Sequence, residues 1–178
     1  MKWLKRCGAA LLGLLILSGI LAAIGLALPQ NHSARSTTSL PVAADQVFTR
    51  VSDVAGAAAW RSSIDRVELL NAAGTRFREH GGDGPLTMEI VAAVGPSHFK
   101  TRIADQGLPF GGTWTWHIEN TDDGSHVTVE ENGEIYNPIF RVISRYAVGY
   151  NATVETYLGD LAASFGVSEP TIDSSWSR

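Results

Sequence analysis

Apolar residues keep two different periods along this chain, and the switch between them limits the folds open to it. In the runs Val67–Asn71, Thr75–His80, Thr87–Val94, His98–Ile103, Thr113–Glu119 and His126–Glu131 the period is near two, as in strands with one buried face. Ala73-Gly74, Gly81-Gly82-Asp83-Gly84, Gly95-Pro96, Gly111-Gly112 and Asp122-Asp123-Gly124 separate these runs with turn chemistry, which predicts an antiparallel meander, strongly curved or barrel-like. Beyond Asn137-Pro138 the spacing becomes three and four. Ile139, Val142, Ile143, Tyr146, Tyr150, Val154, Tyr157, Leu158 and Leu161 then draw one stripe along a helix predicted to reach Phe165. Asn137 suits the cap and Pro138 the first helical position, where a missing N–H costs nothing; Gly149 predicts a bend. A sheet that buries one face needs a covering layer, and this helix is the longest available.

Upstream, Pro41–Ser52 spaces Val42, Val47, Phe48 and Val51 as a short amphipathic helix, and Ala55–Ser63 predicts a second one anchored by Trp60. Nearer the start, the stretch from Ala9 to Leu28 carries no charge. About 20 helical residues cross a hydrocarbon core of roughly 30 Å, so residues 1–30 read as a basic segment and a transmembrane helix. A cleaved signal peptide competes, because Lys2, Lys5 and Arg6 precede the run and Gly25-Leu26-Ala27 resembles a cleavage site. The run exceeds the roughly 7–15 residues of a signal core, which favours the uncleaved anchor. The basic residues place the N-terminus in the cytoplasm and the domain on the extracytoplasmic side. Residues 31–35 open a polar stretch that reads as a tether, residues 36–166 form the domain, and residues 167–178 read as a disordered tail.

A chain of 178 residues holds one ordinary domain with an appendage. Its net charge of -4 argues against nucleic acid as a partner, which needs clustered Lys and Arg. With Cys7 as the single cysteine, neither an intrachain disulfide nor a cysteine zinc cluster can form. Metal-binding spacings, a glycine-rich phosphate loop and a nucleophile elbow are missing from the sequence, so no cofactor is expected. Nothing in it identifies a protein partner.

The order of short helices, meander and long last helix resembles the helix-grip fold of the START and birch-pollen-allergen superfamily, abbreviated SRPBCC. Three stretches carry the resemblance: LPVAADQVFTRVSDVAGAAAW (Leu40 to Trp60), GGTWTWHIE (Gly111 to Glu119), and HVTVEENGEIYNPIFRVISRY (His126 to Tyr146) with ATVETYLGDLAASFG (Ala152 to Gly166). The last pair is similar to membrane-associated polyketide cyclase/dehydrase-like members. Ala57-Ala58-Ala59 departs from the family, where many members carry a proline before the tryptophan. The resemblance implies an α+β fold, a curved antiparallel sheet wrapped around the C-terminal helix. It further implies an internal cavity for a lipid, sterol, quinone or polyketide-like ligand.

Alternation independently puts Trp114, Trp116 and Ile118 on one face, as it does Val127 with Val129 and Met88 with Ile90. Trp60, Phe77, Met88, Phe99, Phe110, Trp114, Trp116, Val129, Tyr146 and Tyr150 are therefore the candidate ligand-binding residues, with a filled apolar core as the competing reading. Among His117, Glu119, Glu131, Glu134 and Arg141, only Glu131 shares the parity of Val127 and Val129. It is the acid/base candidate if the domain is a cyclase or dehydratase rather than a binding, transfer or protein-interaction module. Arg141 and Arg145, four apart, read as a solvated face of the last helix. The turn Gln106–Gly111, with Leu108 and Phe110, has the composition of a lid.

Overall fold

The computed structural model describes residues 2–82 and 84–177, without the side chains of residues 2–6 and 8–10. Asp83 of the predicted turn, the basic side chains Lys2, Lys5 and Arg6, and Arg178 of the predicted tail lie outside the described residues. The chain runs α1 (Lys2–Ala27), β1 (Asn31–Leu40), α2 (Ala44–Ser52), a 3-10 turn (Ala57–Ala59), β2 (Arg66–Leu69), β3 (Arg76–Gly81), β4 (Gly84–Val94) and β5 (His98–Ile103). It continues with β6 (Phe110–Thr121), β7 (Gly124–Ile135), α3 (Pro138–Ile143), a π-helical turn (Ser144–Val148), α4 (Ala152–Ser164) and β8 (Asp173–Ser177).

The strands form one antiparallel sheet of eight, in the order β2-β3-β4-β5-β6-β7-β1-β8. The alternation sets its register: Phe99 lies opposite Trp116, Trp116 opposite Val129, and Ile118 opposite Val127, all on the concave face. A register shift between Ile90 and Ala92 marks a bulge, which bends β4 and adds to the curvature. In the concavity α4 buries Val154, Leu158 and Leu161, while α2 buries Ala44, Val47 and Val51. Each of these valines and leucines contributes about 1.5–3 kcal/mol by leaving water.

The predicted tether and tail are strands. In β1, His32, Ala34, Ser36, Thr38 and Leu40 alternate inward, so the period of two is present but written in small polar residues. Their hydrogen bonds come from the far end of the chain: Ser36 Oγ meets Ser174 Oγ at 2.9 Å, and Thr38 Oγ1 donates to the Thr171 carbonyl at 2.9 Å. Asn151 Nδ2 adds bonds to the carbonyls of Arg35 and Ser175. The buried hydroxyls of Ser36 and Thr38 are thus paired, which removes the cost that made a buried strand improbable from composition.

The predicted last helix is two helices. Asn137 caps α3, its Oδ1 accepting from Ile139 N at 2.9 Å and Phe140 N at 3.2 Å. The backbone then widens into the π turn and breaks at Gly149, whose φ of 89° suits a residue without Cβ. Inserting that turn rotates the stripe, so Tyr146 and Tyr150 no longer share a face: Tyr146 is 69% exposed and Tyr150 is 8% exposed.

At the other end, α1 leaves its leucines outward, Leu14, Leu15 and Leu17 among them. Among the described residues no helix is both long and apolar enough to cross a membrane. The helix's last turn is docked instead. A Cβ on Gly25 would meet the backbone of Pro138, so only glycine lets α1 lie this close to α3. Arg141 is buried rather than solvated. Its Nε donates to the Ile135 carbonyl at 2.7 Å, its Nη1 to the Gly25 and Leu28 carbonyls at 3.3 Å each, and its Nη2 to the Tyr136 carbonyl at 3.2 Å. A cation at a helix C-terminus also opposes the macrodipole.

Candidate functional site: an apolar cavity with two polar clusters

Between the concave face of the sheet and the helices lies a cavity of about 740 Å³. Strands β3 to β7 supply Phe77, Met88, Phe99, Trp114, Trp116 and Glu131 to its wall, and the helical side supplies Trp60, Tyr150 and Tyr157. Leu108, Pro109, Phe110, Phe140, Ile143 and Val148 also line it. The lid-like turn is tied down: Tyr136 N donates to the Pro109 carbonyl at 2.8 Å.

Of the residues singled out from the sequence, Trp60, Phe77, Met88, Phe99, Phe110, Trp114, Trp116, Glu131 and Tyr150 line this cavity. Val129 does not; it is fully buried in the packed core, and Tyr146 points away for the reason given above. His117 and Glu119 are exposed, His117 with its ring 5.1 Å from that of His98. Glu134 borders the cavity and accepts a hydrogen bond from the Tyr136 hydroxyl at 2.6 Å.

The first polar cluster sits beneath the 3-10 turn. Arg61 Nη1 and Glu79 Oε1 pair at 2.5 Å with both side chains largely buried, and the guanidinium lies 5.1 Å from the Tyr157 ring centroid. Tyr157 is the hub of the aromatic wall, with Trp60, Trp116 and Trp114 rings at 5.2, 5.4 and 5.8 Å. Burial pushes its phenol well above the ordinary value of 10.0; Arg61 and the Trp116 indole oppose this shift, while Glu79 adds to it. Tyr157 therefore stays a neutral hydroxyl. Since the unfolded chain ionises this phenol near pH 10 and the folded chain resists, its contribution to stability is intact below pH 10 and is lost as the pH rises further. Thermal melts between about pH 9 and about pH 11 should show a smaller fall in midpoint for Tyr157→Phe than for the unaltered protein. Equal falls would rule out Tyr157 as the source.

The second cluster joins β1 to β7. The His32 ring stacks on Tyr150, centroids 4.2 Å apart at 19°, and its Nε2 stands 3.6 Å from Glu131 Oε1. His32 lies opposite Gly133, whose missing side chain leaves the space the imidazole occupies. Sequence reading missed His32 because it fell in the presumed tether, and missed Arg61 because a charged neighbour of Trp60 reads as solvated. Glu79 was recoverable, since it shares the parity of Phe77. Among the described residues no group of three His, Cys, Asp or Glu side chains is placed to hold a metal ion.

Residues 31–165 match the family model described as polyketide cyclase/dehydrase and lipid transport. No curated protein matches the chain. Among solved structures, a START superfamily protein from Mycobacterium smegmatis superposes with a TM-score of 0.62 at 16% identity, over 76% of this chain and 97% of that one. A conserved protein from Geobacillus kaustophilus gives 0.64 at 12% identity, over 79% and 98%. The di-domain ARO/CYC StfQ of the steffimycin biosynthetic pathway gives 0.62 at 11% identity, over 78% of this chain and 51% of its own length. At such identities the likeness concerns the fold.

Proposed function

The chain belongs to the polyketide cyclase/dehydrase and lipid transport family, and from that premise we propose that it binds an apolar small molecule, a lipid, quinone or polyketide-like compound, inside the cavity. The observation that carries this reading is the cavity itself: about 740 Å³, walled by aromatic and aliphatic side chains with a few buried polar groups, which is the composition of small-molecule sites. A packed core leaves few voids larger than a water molecule, so a space of this size is not ordinary packing.

Native mass spectrometry of the full chain, released from lipid nanodiscs after exposure to a lipid extract of its host, tests the proposal. A reproducible adduct that Trp116→Ala weakens is the expected result. An unliganded mass across the whole extract would overturn it. A second reading, a cyclase- or dehydratase-type enzyme, draws on Glu131 beside His32 in the same cavity. It requires turnover of the bound compound that Glu131→Gln abolishes while the adduct persists.

In this reading α1 attaches the domain to a bilayer. The support is its row of outward leucines, together with the exposed Phe140, Ile143 and Val148 beside its docked end, apolar surface that water leaves uncovered at a cost. The basic N-terminus would lie in the cytoplasm and the domain on the other side. Cys7, the single cysteine, is a ready probe: an impermeant maleimide should label it in inverted vesicles and not in intact cells. The opposite pattern would reverse the orientation.

A further inference from the structure

The cavity's second polar cluster is incomplete. Both His32 Nδ1 and Glu131 Oε2 are buried without a hydrogen-bond partner, although each residue borders the cavity. Leaving such groups unmade is costly, more so for a charged one, and a protein tolerates it where a ligand or ordered water completes the set. The two side chains belong to one cluster, approaching to 3.6 Å through Nε2 and Oε1. Aromatic rings back the cluster: Tyr150 stacks on the imidazole, and the indole of Trp176 lies 5.3 Å from the Tyr150 ring. Trp114 lies directly opposite Glu131 in the sheet and forms the adjoining apolar wall.

We propose that His32 and Glu131 form the seat for a neutral hydroxyl at one end of an otherwise apolar ligand, such as a phenol, a sterol-like alcohol or a long-chain alcohol. This rests on the cavity-binding function above and narrows its ligand class. The chemistry follows from the donor and acceptor inventory. A carboxylate accepts hydrogen bonds and gives none, so Glu131 Oε2 calls for an O–H. Imidazole Nδ1 gives or takes a hydrogen according to tautomer, and a hydroxyl oxygen does either. A carboxylate ligand would set like charge against Glu131, and a pure hydrocarbon would leave both atoms unpaired.

Pyrene and 1-hydroxypyrene separate these cases, with the full-length protein in lipid nanodiscs and energy transfer from tryptophan to the pyrenyl group as the readout. Each affinity is expressed on the probe's concentration in the lipid, measured with empty nanodiscs, so that partition drops out of the ratio. The unaltered protein should bind 1-hydroxypyrene about tenfold or more tightly than pyrene, the gain from a hydrogen bond to a charged group. In Glu131→Met and in His32→Phe, which keeps a ring over Tyr150, that preference should vanish while pyrene affinity stays within about twofold, showing an intact cavity. Pyrene binding as tightly as 1-hydroxypyrene to the unaltered protein would overturn the seat and leave the cavity function standing. A preference that survives in both variants would also overturn it. If neither compound binds, the cavity function fails with it.

Discussion

Replacing Arg141 with methionine is expected to destabilise the fold by about 3 kcal/mol or more and to release the end of α1 from the domain. One buried guanidinium serves carbonyls from three segments: Gly25 and Leu28 at the exit of α1, Ile135 at the end of β7, and Tyr136 before α3. Methionine fills much of the same space and donates nothing. Each carbonyl left buried and unpaired costs on the order of 1–3 kcal/mol, although water reaching some of them will recover part of the loss. The release is measurable separately from the stability. Amide exchange of Leu28 and its neighbours should rise strongly in Arg141→Met, while amides of the β4–β5 ladder, which the guanidinium does not touch, should change little. Unchanged protection around Leu28 would mean that the Gly25–Pro138 contact alone holds α1 in place.

Ending the chain after Pro170, which removes β8, is expected to lower the thermal midpoint by roughly 10 °C. The deleted residues pair with β1 from Ser33 to Thr37, supply Ser174 Oγ to the buried Ser36 hydroxyl, and give Asn151 the Ser175 carbonyl. Trp176 goes with them. Its indole covers Tyr150 and carries the Arg145 guanidinium 3.9 Å above its ring, a cation–π contact. Several hydrogen bonds at about 1 kcal/mol each, with the aromatic contact, sum to roughly 3–5 kcal/mol. Since Tyr150 backs His32, the truncated chain should also lose its preference for the hydroxylated pyrene ahead of its affinity for pyrene itself. A midpoint unchanged within about 2 °C would show that β8 is an ornament on the edge of the sheet.

Both regions were misread from the sequence for one reason. Arg141 and the β1–β8 pair are polar elements that become interior only because distant partners satisfy them, and no local window contains those partners. Ser36 and Ser174 are separated by 138 positions, Arg141 and Gly25 by 116. The apolar elements behaved differently. Phe77, Met88, Trp114, Trp116, Ile118, Val127 and Val129 all lie on the inward side, because a strand's two-residue period places them there whatever else the chain does. Glu131 followed by parity into the cavity wall, and its neighbour His32 did not, since the same parity in β1 is carried by serine and threonine.

The sequence by itself therefore determined the meander, the face each strand buries, the cap at Asn137 and the family, because these depend on periodicity and on residues near one another in the chain. Only the tertiary structure decided the rest. It divided the last helix at Gly149, turned Tyr146 out and Tyr150 in, recruited both presumed flexible ends into the sheet, and buried Arg141 on the end of α1. The last two outcomes depend on whether a polar group finds its hydrogen-bond partner across the fold, which three-dimensional proximity alone settles.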